Sequence, residues 1–265
     1  MLGQLLEEFN SISLEALKNK AELMERRDNK YVLSNEQTYA FLSHTQSEFD
    51  ILEIDGLRKF HYLSYYYDSA ELRTHLDHNQ GRRRRIKIRH RHYVDSGRHY
   101  FEIKLKGQRK LTQKFRTVFN PAELNSDGLN AELTDFYFNT LAEHYDDEFA
   151  HSWLNQLVPS ISVGYDRITL VAKKGDERIT LDNGIYFADK DMQEDVKQSL
   201  NNDKWIVEVK SSTGRTKLDR WLFRNINRPV SMCSKYGMGI TLLKMRQHNT
   251  RFNPILRRHF QSHFS

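Results

Sequence analysis

Arg85-Ile86-Lys87-Ile88-Arg89-His90-Arg91-His92-Tyr93 is the stretch from which the rest of the chain can be read. It has the form of a β-strand, in which successive side chains point to opposite faces, so Arg85, Lys87, Arg89 and Arg91 share one face. Ile86 and Ile88 begin the other face, where ordinary packing can cover them. Cations held side by side repel unless something anionic joins them. The strand therefore calls for an anionic partner.

Composition sets the outer limits. The chain has 265 residues, 38% of them apolar and 12% aromatic, which suffices for a sizeable core and argues against disorder. Four prolines and twelve glycines leave no collagen-like or low-complexity segment. A net charge of +6 favours an anionic partner without naming it. No apolar run approaches the roughly 18 residues of a membrane span. The opening MLGQLLEEFN carries acidic residues where a signal peptide wants Lys or Arg. Cys233 is alone, which rules out a disulfide framework and a thiolate zinc cluster. These features predict a cytoplasmic protein without a membrane segment of its own.

In chain order, residues 2–24 carry apolar residues at helical spacing and predict one or two short helices. A strand follows through Lys30 and Leu33. Ser34 with Gln37 is a capping-box pattern that opens a helix to about Ser47. Strands are predicted at Phe49–Ile54 and Lys59–Tyr67, then a short helix from Ala70 to His78. The basic strand is followed by a hairpin turn at Asp95-Ser96-Gly97 and a return strand His99–Lys106. A tight turn at Gly107-Gln108 leads to Lys110–Phe119. Residues 121–158 read as helical. Strands resume at Ser160–Lys173, Arg178–Leu181, Ile185–Ala188 and Trp205–Lys210, with Gly175, Gly184 and Asn201-Asn202 as turns. A helix is predicted at Thr216–Phe223, and another at Ser234–Arg246 that Gly237 and Gly239 interrupt. The reading is one domain over residues 1–250 with a basic, partly disordered tail at 251–265.

The alternation of the basic strand recurs. Glu102, Lys104 and Lys106 share a face opposite Phe101, Ile103 and Leu105. Lys114 and Arg116 lie opposite Phe115. Tyr165 pairs with Arg167, Arg178 with Thr180 and Asp182, and Glu208 with Lys210. One such strand alone is a sheet with a solvated face. A solvated face mixes Ser, Thr, Gln, Lys and Glu, whereas cations dominate this set. If the sheet closes on itself, its apolar face packs outward against helices and its charged face lines a tunnel. Such a lining needs an anion inside, since like charges cannot be desolvated unpaired. A chain of phosphates meets that need.

These motifs, in this order, resemble the VTC domain, the polyphosphate polymerase domain of the vacuolar transporter chaperone family, within the triphosphate tunnel proteins. The resemblance rests on Arg26-x-Asp28-x-Lys30-Tyr31, Tyr65-Tyr66-Tyr67-Asp68-Ser69, the Ile-Lys-Ile-Arg strand and Phe101-Glu102-Ile103-Lys104. It continues through Tyr165-Asp166-Arg167, Arg178-Ile179-Thr180-Leu181-Asp182, Glu208-Val209-Lys210 and Ser234-Lys235-Tyr236. It implies an α+β fold, an antiparallel eight-stranded β tunnel with surrounding helices. It also implies an ATP-dependent polyphosphate polymerase that moves the γ-phosphate of ATP onto a growing polyphosphate chain with Mn2+ or Mg2+. Carried over residue by residue, it makes Lys87, Arg89, Arg167, Arg178 and Lys235 the catalytic set. Lys30, Lys104, Lys114, Lys210, Ser234 and Tyr165 become phosphate or nucleotide contacts. Glu208 becomes the metal ligand, with Glu102 as a second possibility; a hard divalent ion takes carboxylate oxygens. The attacking group would be an ionised terminal phosphate, which needs no general base. Two departures stand out. The wider superfamily opens with Glu-x-Glu-x-Lys where this chain has Arg26-x-Asp28-x-Lys30, which favours a polymerase over a two-metal hydrolase. Lys87 stands where Arg is commoner and gives a point charge in place of a fork.

Other features take plainer readings. Arg82 to Arg85 form a hairpin end or tunnel rim before they form a nucleic-acid patch, and no nucleic acid is expected. His90 and His92 lie on the face away from the cations. The tyrosines near Tyr65 are core, Cys233 is a packed thiol, and Arg91 and Lys106 belong to the rim. Two alternatives to the polymerase remain: a tunnel triphosphatase acting on inorganic or nucleoside triphosphates, and a non-catalytic polyphosphate-binding module. Nucleotide preference, chain length, membrane partners and oligomeric state are not readable from the sequence.

Overall fold

The computed structural model describes residues 2–20, 27–106, 112–123, 129–189, 197–245, 248 and 250–260. Arg26 and the turn expected at Gly107-Gln108 lie outside the described residues. The strands are β1 (Ser11–Ile12), β2 (Arg27–Ser34), β3 (Phe49–Leu52), β4 (Phe60–Asp68), β5 (Arg85–Tyr93), β6 (Arg98–Lys106) and β7 (Thr112–Val118). They continue with β8 (Val158–Ala172), β9 (Arg178–Asp189), β10 (Lys197–Ser199) and β11 (Lys204–Ser211). Eight of them run in the order β2-β11-β9-β8-β4-β5-β6-β7. Every pairing along that path is antiparallel. This is the predicted eight-strand antiparallel architecture. Three short strands hang from it: β3 extends β8, β1 pairs with β3, and β10 pairs with β9.

Helices cover the sheet: α1 (Leu2–Glu7), α2 (Leu14–Lys20), α3 (Asn35–Thr45), α4 (Arg73–Gln80), α5 (Ala131–His144), α6 (Asp147–His151), α7 (Lys217–Asn225), α8 (Lys235–Leu243) and α9 (Asn253–His259). The α3 start carries the full capping box, with Ser34 accepting from the Gln37 amide and Gln37 from the Ser34 amide. Two apolar clusters sit on the outer face. Ile86, Ile88, Phe101, Ile103 and Leu105 pack with Leu133, Tyr137 and Leu141 of α5 and with Trp153. Leu33, Ile168, Ile179, Leu181, Val207 and Val209 pack with α1, α3 and α7. The alternation in the sequence therefore does place the apolar side outward. Each fully buried side chain of this kind is worth about 1.5–3 kcal/mol.

The concave face is not polar throughout. Tyr66, Ile161 and Val163, opposite or next to the basic row of β5, join a third cluster with Tyr236, Met238 and Ile240 of α8 and Phe252, Ile255 and Leu256. Helix α8 thus enters the mouth of the sheet. Its glycines do not interrupt it: a Cβ at Gly237 would lie 2.1 Å from the Phe252 ring, and one at Gly239 2.6 Å from Ile161. Both positions are bare because neighbours come that close.

Two further expectations change. Gly184 is no turn; β9 runs unbroken through it, and the β8–β9 register slips between Gly164 and Asp166. Gly184 has φ +60°, which absorbs the bulge. Residues 251–265 are not all tail. Phe252, Ile255, Leu256 and Phe260 are buried, because their helical spacing gives α9 an apolar stripe for α8.

Gly237→Ala is expected to lower stability by about 1–3 kcal/mol through overpacking against Phe252. In thermal unfolding that is a fall in Tm of roughly 2–12 °C at this chain length.

Candidate functional site: a cation-lined bore

Register places the charged side chains in rows. Lys87, Lys104 and Lys114 lie side by side across β5, β6 and β7; Arg89, Glu102 and Arg116 form the next row. On the other side, Lys30, Glu208 and Thr180 are neighbours across β2, β11 and β9, and Lys210 sits between Asp28 and Arg178. The two sides come together at the start of α8. Lys30 Nζ donates to the Cys233 carbonyl at 2.9 Å, and Lys87 Nζ lies 2.9 Å from Ser234 Oγ. Lys30 from one end of the strand path and Lys87 from β5 thus grip consecutive residues. The sheet therefore curls around a bore.

Three carboxylates organise the lining. Glu102 is completely buried. It accepts from Arg89 Nε at 2.7 Å and Nη2 at 2.6 Å, stands 3.8 Å from Arg91 Nη1, and pairs with Lys114. Asp182 takes a bidentate contact from Arg167, at 2.6 and 2.8 Å, and also pairs with Lys235. Glu208 Oε2 is 2.9 Å from Lys210 Nζ and its Oε1 is 3.6 Å from Lys30 Nζ. Buried charge pairs of this sort persist only when both partners are present. Burial opposes ionisation of all three carboxylates, but the adjacent cations outweigh it and hold each below the ordinary carboxylate range.

Cations remain in excess. Burial, then Lys30, Arg85, Arg89 and Lys106, push the Lys87 amine down to about 7. Burial also lowers Lys210, to about 8, because Arg167 and Arg178 offset the pull of Glu208. Lys104 is lowered well below its usual value by burial and Arg89, and it makes no hydrogen bond or ion pair with another described residue. By contrast Glu208 keeps Lys30 charged against burial. An anion arriving in the bore would reverse the depression at Lys87, Lys104 and Lys210 together.

Every candidate read from the sequence falls on this lining, but the candidates differ in kind. Arg89, Arg167, Lys114 and Lys235 are tied to carboxylates. Tyr165 is buried, accepts from Arg91 Nη2 at 3.0 Å, and has Lys235 Nζ 4.4 Å from its ring centre. Arg91 is buried, not part of a rim. Asp182 was legible as inward-facing, yet its partners Arg167 and Lys235 lie 15 and 53 residues away, so only register identifies it as an anchor. From the sequence Asp68 reads only as part of the motif at residues 65–69, with no role of its own. It is buried and accepts from the Ser69 and Thr74 amides, the Thr74 hydroxyl and Tyr236, and thereby fixes the start of α8.

The fit to a divalent ion is partial. Among the described residues no group of three or more His, Cys, Asp or Glu side chains is gathered to hold a metal. Glu102 already has three cations around it, Arg89, Arg91 and Lys114, and would have to release some of them to hold a metal. Glu208 can offer one carboxylate to an ion whose other ligands come with the phosphates. The histidines stay outside the bore: His90 Nε2 is 2.8 Å from His99 Nδ1, and His92 stacks on His99. Among the described residues no helix is long and apolar enough to cross a membrane.

Fold and lining together define an α+β protein whose antiparallel sheet encloses a cation-rich bore. The family model of the VTC domain matches residues 25–244, and the chain belongs to that family. No curated protein matches it. Among solved structures it is similar to a Hippeastrum protein, HpAC1, described as an adenylyl cyclase candidate with a dominant triphosphatase activity. That alignment has 13% identity, covers 84% of this chain and 96% of that one, and gives a TM-score of 0.49. A Bacillus halodurans protein named as an adenylate cyclase candidate aligns at 12% identity over 78% and 95%, with a TM-score of 0.48. The PH1819 protein of Pyrococcus horikoshii OT3 aligns at 13% over 80% and 97%, with a TM-score of 0.42.

Anion binding should take up protons. Binding raises the depressed amines, so above about pH 7 each must gain a proton, and affinity falls as pH rises through 7 to 8. Calorimetry with polyphosphate in buffers of different ionisation enthalpy should show net uptake at pH 8 and less at pH 6. Replacing Glu102 by Gln leaves buried cations uncompensated and is expected to cost about 3–5 kcal/mol in urea unfolding.

Proposed function

We propose that the protein is a polyphosphate polymerase, moving the γ-phosphate of ATP onto a polyphosphate chain held in the bore. The observation that carries this reading is the row of inward cations in excess of the carboxylates, with Lys87, Lys104 and Lys210 pushed toward their neutral forms by burial and then by neighbouring cations. From Arg85 to Arg91 the row on β5 extends about 20 Å, since a strand rises about 3.3 Å per residue. That length suits a linear chain of phosphates better than a single one. Lys87, Lys104 and Lys210 would bind phosphate oxygens directly and recover full charge on doing so. Arg89, Arg167, Lys114 and Lys235 are held at fixed angles by Glu102 and Asp182, so they present charge without reorganising. Phosphoryl transfer is largely positioning and charge stabilisation, which such a lining supplies. A divalent ion held by Glu208 and the phosphates would neutralise developing charge on the transferred group.

The test is incubation of the purified protein with ATP and manganese, followed by a polyphosphate gel. A ladder of chains is expected. Orthophosphate without chains would instead make it a triphosphatase, and tight polyphosphate binding without turnover would make it a binding module. Glu208→Gln should lower synthesis by at least about 100-fold while polyphosphate still binds; undiminished synthesis would remove Glu208 from the metal role.

A further inference from the structure

Outside the bore, one surface carries cations that nothing in the fold employs. Helix α7 rests on the outer face of the sheet through Leu218 and Leu222, with Ile226 packed just beyond its end. The opposite side is basic. Lys217, Arg220 and Arg224 are three and four residues apart, so they stand on one exposed face. Arg215 before the helix and Arg228 after it are exposed as well. Among the described residues none of these five side chains has an ion pair or a hydrogen bond. Asp219, the only carboxylate in residues 215–228, is turned inward. It caps the helix with Thr216 and accepts from Asn29 at 3.0 Å and Tyr31 at 2.8 Å.

Aromatic rings flank these cations. Phe223 is 52% exposed, with the Arg228 guanidinium 5.6 Å from its ring centre. Trp221 is half-buried and stacks on His44 at 4.4 Å. A solvated helix face needs no exposed phenylalanine, and a site for phosphate alone has no use for one. Cations beside exposed rings fit a partner that is anionic in its outer layer and apolar beneath. A bilayer with anionic headgroups has that layering. Single-stranded nucleic acid engages aromatic side chains by stacking on their faces, and here one face of each ring is already covered, by Arg228 and by His44.

We propose that the outer surface of α7 is a docking site for an anionic lipid bilayer. Lys217, Arg220 and Arg224, with Arg215 and Arg228 at the two ends, meet the headgroups. Phe223 and Trp221 sit at the headgroup boundary, where aromatic side chains are favoured. Leu218 and Leu222 stay on the sheet, so the helix docks without leaving the fold, and the attachment is peripheral and reversible. Each cation near such a surface raises affinity roughly 5-fold. Burial of Phe223 adds a part that salt does not screen, since screening acts on charge alone. Binding of this kind does not depend on the chemistry in the bore, so it stands or falls apart from the polymerase reading.

The experiment is co-sedimentation of the whole protein with vesicles of phosphatidylcholine mixed with phosphatidylglycerol, and with vesicles of phosphatidylcholine alone. Pelleting with the mixed vesicles only, weakened but not abolished by high salt, is the expected result. Arg220→Ala with Arg224→Ala should lower vesicle affinity roughly 30-fold, with thermal unfolding and polyphosphate binding in the bore unchanged. Phe223→Gln should keep binding at low salt and lose the salt-resistant part. No pelleting, equal pelleting with neutral vesicles, or pelleting that the double arginine variant leaves intact each overturns the proposal. Salt-resistant binding that survives in Phe223→Gln overturns it too, because the ring is then not in contact with the bilayer. If the mixed vesicles stay unbound while labelled polyphosphate or a single-stranded DNA oligonucleotide binds more weakly to the double arginine variant, the surface belongs to a soluble polyanion and the lipid assignment falls.

Discussion

An enclosed surface that carries more cations than carboxylates is the constraint on which this structure depends. Removing Lys or Arg from water costs several kcal/mol per ion unless a counter-charge meets it. The chain meets part of that cost internally, at Glu102, Asp182 and Glu208, and leaves the rest visible as lysines held below their ordinary pKa. Nothing in packing alone asks for such an arrangement, since the outer apolar clusters would form with serines or threonines on the concave side.

The carboxylates divide the lining into fixed and responsive parts. Arginines gripped in bidentate fashion, such as Arg167 on Asp182, have little freedom left and act as rigid donors. Lysines without such a grip can change both position and charge when an anion arrives. A bore built this way can meet anionic groups without requiring any one spacing between them.

Helix α8 ties fold to site. Bare glycines let it press against Phe252 and Ile161, and the Asp68–Tyr236 contact sets its depth. Its first residues then fall between Lys30 and Lys87. The same helix therefore closes the apolar end of the concave face and delivers Ser234 and Lys235 to the polar end. The backbone before it shows the strain of that placement, with Met232 at φ +56°.

Much of this could be read from the chain alone. Period-two alternation is a local property, so the identity of the inward side chains and the outward apolar face followed from strands such as residues 85–93 and 102–106. Glycine misled, because Gly184, Gly237 and Gly239 look the same in a sequence whether they make a turn, a bulge or a close contact. The spacing of Phe252, Ile255 and Leu256 was present but masked by the surrounding arginines. What the sequence by itself determined was which residues face the bore. The tertiary structure decided which of those cations are neutralised and which are left for a ligand. That depends on register between strands far apart in the chain, where a two-residue slip would hand Asp182 or Glu102 to different partners, and no local pattern encodes it.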